Sequence, residues 1–90
     1  MSSKAAAVYM AWINHEPFSS GGALWTQGGW LYSYNLLIGY MNDQGSPVVI
    51  DYRGREVDVG EGVMRKSPTT SRHINGALRF ASIVESPDDE

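Results

Sequence analysis

Ninety residues without a single cysteine make one small domain held by packing alone, with no disulfide framework, no thiolate metal site and no room for a separate cofactor domain. No apolar run approaches the ~20 residues that span a bilayer, and Met1 to Ala7 is too short for the apolar region of a secretion signal, so the sequence reads as intracellular. The formal charge of −3 is uneven: Glu85, Asp88, Asp89 and Glu90 crowd the C-terminal end, and without them seven cations meet six anions, a mildly basic body with an acidic tail.

Val8 to Asn14 (VYMAWIN) is rich in β-formers and predicts a first strand. His15 to Gly22 breaks it with Pro, Ser and Gly, and Ala23 to Gly29 (ALWTQGG) predicts a loop that displays Trp25. Trp30 to Met41 (WLYSYNLLIGYM) predicts one long strand. Its alternating set Trp30, Tyr32, Tyr34, Leu36, Ile38 and Tyr40 is apolar or aromatic and is expected to face the core. Asn42 to Ser46 has turn chemistry, and Val48 to Tyr52 returns as the second arm of a hairpin. Arg55 to Val59 alternates charged and apolar residues and predicts a third strand, closed by Gly60-Glu61-Gly62.

A basic connector, Val63 to Lys66, leads to Ser67-Pro68-Thr69-Thr70-Ser71. This is a helix start, because hydroxyl side chains accept bonds from first-turn N–H groups. The helix is predicted from about Thr70 to Val84, with Ile74, Ala77, Leu78 and Ala81 as its core stripe and Arg72 and Arg79 on its wet face. Asn75-Gly76 interrupts that pattern, and Ser86-Pro87 is its stop. The expected fold is α+β: an antiparallel meander of three to four strands with one C-terminal helix packed across it. Residues 1–85 form the domain and 86–90 an acidic, disordered tail.

Few residues carry a catalytic pattern. His15-Glu16 begins like a zinc-protease helix motif, but Pro17 follows and the second His is missing. Gly60-Glu61-Gly62 lacks the third glycine of a dinucleotide loop, and no phosphate-binding loop motif occurs. Ser71, His73 and Asp58 could meet only by folding, without a nucleophile elbow to support them. Asp51, Glu56, Asp58 and Glu61 read as the exposed positions of a hairpin. No catalytic residue, metal ligand or cofactor is assigned, and the expectation is a protein that is not an enzyme.

Binding chemistry is better represented. Arg65, Lys66, Arg72 and Arg79 put positive charge along the start and face of the predicted helix, where a phosphate or an acidic partner could dock. The plainer alternative is a solvated helix face. Five of the eight Trp and Tyr residues lie between Trp25 and Tyr40, and Trp, Tyr and Arg dominate binding hot spots. Trp25 is the candidate exposed anchor. His73, one turn before Ala77, reads as a hydrogen-bonded histidine beside the core.

Two stretches carry a resemblance. Trp30 to Ile38 (WLYSYNLLI) and Ser67 to Ile74 (SPTTSRHI) resemble a group of short viral proteins, mainly from phages. That group has a "SYNT-x-I/V" strand and a "YS-x-TTSKHI" helix start. The matching residues are Ser33, Tyr34, Asn35, Leu37 and Ile38, then Ser67, Thr69, Thr70, Ser71, Arg72, His73 and Ile74; Leu36 and Lys66 stand where the group has Thr and Tyr. The resemblance covers about half the chain and implies a viral origin. Its hydroxyl, amide and imidazole side chains at Ser33, Tyr34, Asn35, Thr69, Thr70 and His73 read as a structural motif that ties the helix start to the sheet.

Together these observations lead to the expectation of a phage-encoded binding protein, an inhibitor of a bacterial defence complex of the anti-CRISPR kind. It would act in the host cytoplasm by direct protein contact through Trp25, Arg65, Lys66, Arg72 and Arg79. Alternatives are a nucleic-acid-binding accessory protein using the basic helix face, and a self-assembling protein pairing its sheet edges. The expected state is a monomer or homodimer away from any membrane.

Overall fold

The computed structural model describes residues 4–19, 21–58 and 62–87. The chain opens with a helix, α1 (Lys4–Ile13), where the sequence predicts a strand. Its buried residues Val8, Tyr9, Ala11 and Trp12 fall at i, i+1, i+3 and i+4, which share one side of a 3.6-residue turn but opposite sides of a strand. Ala5 to Ala7 add strong helix formers, so the aromatic and branched residues follow rather than lead. The helix closes with the Glu16 N–H on the Ala11 carbonyl at 2.8 Å and His15 at φ 59°.

Strands β1 (Phe18–Ser19), β2 (Leu24–Gln27), β3 (Trp30–Ser33), β4 (Leu36–Met41) and β5 (Pro47–Ile50) then run as an antiparallel meander. The predicted loop around Trp25 is therefore β2, turned into β3 at Gly28, whose φ of 62° suits glycine. The predicted long strand is two. Tyr34, at φ 56°, and Asn35 reverse the chain between the paired Ser33 and Leu36. The parity of β3 is also the reverse of the expected one: Leu31 and Ser33 are buried, while Trp30 is 54% exposed. A register shift after Leu31 then brings Ile38 inward on β4, as expected. The β4–β5 hairpin matches its prediction, with Asn42 Oδ1 accepting from the N–H groups of Gln44 and Ser46 across the turn.

Beyond β5 the order departs again. β6 (Glu56–Asp58) does not join the sheet but pairs with β7 (Met64–Lys66) as a separate ribbon; Val59 to Glu61, where the predicted strand ends and its turn begins, lie outside the described residues. α2 (Pro68–Ala77) stops seven residues short of the expected end at Val84. Ile83 and Val84 belong instead to β8 (Ile83–Glu85), which pairs in parallel with β5. β-branched residues after a turn favour that extended state. The main sheet thus has six strands in the order β1-β2-β3-β4-β5-β8, and with two helices the fold is α+β. Of the expected acidic tail, Glu85 sits in β8, while Asp88, Asp89 and Glu90 lie outside the described residues.

Both helices pack on one face of the sheet. Val8, Tyr9 and Trp12 from α1 and Ile74 and Ala77 from α2 meet Leu24, Leu31, Ile38 and Val49 in one core. Two glycines make the fit possible. A Cβ at Gly39 would lie 2.7 Å from the Trp12 ring, and one at Gly76 would overlap the Tyr9 phenol. Gly76 therefore lets α1 and α2 touch, at a point where its helix propensity alone would argue for another residue.

Candidate partner-binding groove and the helix staple

The β3–β4 turn, the end of β7 and the start of α2 converge on a groove of about 410 Å³ lined by Tyr34, Arg65, Lys66, Ser67 and Pro68. Each wall has a local cause. Tyr34 is 41% exposed because it occupies the turn in a left-handed conformation. Arg65 and Lys66 lie on β7, both exposed, with Arg65 paired to Val57 and Lys66 to Glu56 across the ribbon. Ser67 caps α2: its hydroxyl accepts from the Thr70 N–H at 3.1 Å, and Pro68 follows where no N–H is needed.

Trp25 does not line this groove but is tied to one of its walls. Its indole N–H donates to the Tyr34 carbonyl at 2.8 Å, and its ring stacks on Tyr32 at 4.3 Å and 12°. It is a half-buried strand residue, where the sequence predicts a displayed loop anchor. Trp25, Arg65 and Lys66 are thus brought to one neighbourhood around Tyr34. Arg72 is exposed within α2, and Arg79 is exposed beyond its far end, roughly 15 Å of helix away. The four cations do not form one patch.

Beneath the groove lies a polar staple. Ser33 Oγ on β3 is 2.7 Å from His73 Nδ1 and 3.2 Å from Thr70 Oγ1 on α2, and the Tyr9 hydroxyl donates to the His73 carbonyl at 2.7 Å. The arrangement that uses each hydroxyl proton once runs from Thr70 to Ser33 to an unprotonated Nδ1. Burial, with a smaller effect from the neighbouring Arg72 charge, lowers the His73 pKa from its ordinary value and favours that neutral ring. Burial also pushes the Tyr9 phenol up to about 12. Of the motif residues read from the sequence, Ser33, Thr70 and His73 meet here. Tyr34 lines the groove, Asn35 is exposed in the turn, and Thr69 is half-buried in the first turn of α2.

A serine hydroxyl 2.7 Å from an imidazole nitrogen has the spacing of a nucleophile and its base. Ser33, however, has no exposed surface and also bonds Thr70, so no substrate carbonyl can reach its Oγ. The contact fastens helix to sheet. Of the triad considered from sequence, His73 offers its Nδ1 to Ser33 rather than Ser71, and the Asp58 side chain lies outside what the structure describes. Asp51 is engaged by Arg53 at 2.8 Å, which lowers its pKa, and Arg53 also donates to Asn75. Among the described residues no three His, Cys, Asp or Glu converge as metal ligands, and no helix is long and apolar enough to cross a membrane.

Sequence reasoning missed the other face of the sheet. Trp25, Trp30, Tyr32, Leu37, Tyr40, Val48, Ile50 and Ile83 point away from both helices, as their pairing with neighbours of known parity dictates. The signal is the density of aromatic residues between Trp25 and Tyr40, but an unbroken strand from Trp30 to Met41 would turn Trp30, Tyr32 and Tyr40 toward the core instead. No protein-family model, curated protein or solved structure matches the chain.

Proposed function

We propose that the chain is a binding module that acts by direct contact with a protein of the cell in which it works, through the groove of Tyr34, Arg65 and Lys66. One observation carries this reading: an exposed aromatic and two exposed cations border one concavity whose floor is fixed by rigid elements, the capped start of α2 and the Trp25–Tyr34 hydrogen bond. Tyr and Arg on a preorganised frame give contact energy at low entropic cost. The partner that fits is acidic, because two cations and the N-terminal end of a helix favour a carboxylate-rich loop.

The finer identity, a phage-encoded inhibitor of a bacterial defence complex, draws on the viral resemblance and the small size. The test is a pull-down from bacterial lysate treated with nuclease, comparing the parent chain with the double variant Arg65→Glu, Lys66→Glu. A discrete protein retained by the parent and lost with the double variant supports the reading; equal retention by both overturns the groove.

A second reading, nucleic-acid binding, is favoured by the same cations beside the start of α2. It predicts retention abolished by nuclease and an affinity that falls with salt with a log–log slope near −2, since about two phosphates would be neutralised.

A further inference from the structure

The two edges of the six-stranded sheet are guarded differently. β1 spans only Phe18–Ser19 and follows Pro17, so that edge offers little backbone to pair with. At the other edge β8 carries Ile83 and Val84, 40% and 57% exposed, and no Lys or Pro blunts it between Ile83 and Glu85. Its one charge does not guard it either, because the Glu85 carboxylate is drawn across the sheet to accept from the Tyr40 hydroxyl on β4.

The backbone of β8 is open at one residue. The Asp51 N–H donates to the Glu85 carbonyl at 2.8 Å, so Glu85 and, two residues back, Ile83 turn their peptide groups toward β5. Val84, between them, turns its N–H and C=O toward the free edge. We propose that β8 is an interface with a second copy of the chain, joined edge to edge and antiparallel about a two-fold axis at Val84, so that two six-stranded sheets become one.

Two observations select a second antiparallel copy as the occupant. The first is the hydrogen-bond pattern. An antiparallel pair can exchange both bonds between one residue of each strand, and β8 presents one residue of that kind. With the axis at Val84, its N–H meets the C=O of Val84 of the partner subunit and its C=O meets that residue's N–H, so each copy supplies what the other lacks. The second is charge. The exposed Arg79 leads into β8, whereas Glu85 ends it and Asp88, Asp89 and Glu90 follow in the sequence. Antiparallel pairing sets the basic approach of one copy beside the acidic exit of the other, twice; parallel addition of a like strand sets like charges together.

The side chains at the seam fit the same operation. Val84 shares the helix-bearing face with its partner Val49, yet it is 57% exposed, so no helix overhangs the edge. An axis perpendicular to the sheet therefore brings Val84 against Val84 of the partner subunit without bringing the helix layers into collision. Ile83 lies opposite Glu85 of the partner subunit, and no like charges face each other directly.

Sedimentation equilibrium from about 10 µM to about 1 mM tests the proposal, since a seam of two backbone bonds and one aliphatic pair titrates in or above that range. The weight-average mass should climb from 9.9 kDa toward twice that value. Val84→Pro removes the outward N–H while sparing the bonds to β5, and should weaken association about tenfold or more. Val84→Thr, which keeps the N–H and the branched side chain, should stay within about threefold of the parent. Arg79→Glu should weaken association about threefold or more, most strongly at low salt. Circular dichroism checks that each variant is folded, and hydrogen exchange on the parent chain gives a readout that needs no variant. The Val84 amide should exchange quickly in dilute samples and more slowly as concentration rises. A mass fixed at 9.9 kDa throughout, association indifferent to Val84→Pro, or Val84 exchange independent of concentration would each overturn the interface.

Discussion

The two faces of the main sheet both meet aromatic rings, brought by α1 on one face and carried by the strands on the other, and treat them differently. On the covered face Trp12 is fully buried; on the open face Trp30 is 54% exposed. Hydrophobicity does not separate them. Trp12 has a glycine to receive its ring, Gly39, and a carbonyl to receive its N–H, Gly29 O at 2.9 Å. Tyr9 likewise has Gly76 under its ring and the His73 carbonyl for its hydroxyl. A large aromatic becomes core where the backbone offers both a recess and a polar partner. The contrast teaches that burial in this domain is decided by glycines and carbonyls opposite the rings.

The sharpest way to break that contrast is to remove a ring from each face. Trp12→Ala leaves a cavity at the centre of the core and should cost about 3–5 kcal/mol, enough to unfold much of the population in a domain this small. Trp30→Ala removes a ring already in contact with water and should change stability by about 0.5 kcal/mol or less. Urea titration of dilute samples, where no association complicates the transition, checks both. Comparable losses for the two would mean that the open face is not open.

Filling the recesses should act less strongly. Gly76→Ala raises intrinsic helix propensity by about 1 kcal/mol, yet it drives a methyl into the Tyr9 phenol. Overpacking of this kind costs about 1–3 kcal/mol, so the net change should be destabilising by up to about 2 kcal/mol. Pairing it with Tyr9→Phe, which relieves the contact with the hydroxyl, should recover part of the loss. A stabilised Gly76→Ala would show that α1 shifts freely against α2.

What could be read from the residues follows the same division. Features with local chemistry were legible: the Asn42–Ser46 turn, the Ser67 cap, the β4–β5 hairpin and the mostly antiparallel sheet. Features set by tertiary partners were not. α1 resembles a strand because Val8, Tyr9, Trp12 and Ile13 are β-formers, and the helix is favoured by the Ala5–Ala7 run together with packing against Gly39 and Gly76. Trp30 to Met41 has one unbroken period of two, and the reversal at Tyr34 carries no glycine or proline to announce it. The residue there is left-handed at φ 56°, a state that tyrosine seldom adopts, and it is held by the Trp25 bond to its carbonyl and by its own N–H on Ala23. At the groove, residue types were legible for Arg65, Lys66 and Trp25. Their meeting at Tyr34 was not, because it depends on the ribbon of β6 and β7 standing apart from the sheet.

The smallest expected effect belongs to the covered face alone and is read with pH. Burial lowers the His73 pKa below its ordinary 6.5, so the unfolded chain takes up a proton at a higher pH than the folded one does. The stability this confers is fully present above about pH 6.5 and is lost as pH falls through the folded value. Denaturant midpoints should therefore decline between about pH 6.5 and pH 5, on top of the loss common to all carboxylates at lower pH. His73→Gln keeps a side chain able to bond Ser33 but cannot titrate, so its midpoint should be lower at pH 7.5 and flatter across that window. If the parent and the variant run parallel from pH 7.5 to pH 5, then His73 binds its proton equally well folded and unfolded, and the Thr70–Ser33–His73 chain would be a contact without preference for the neutral ring.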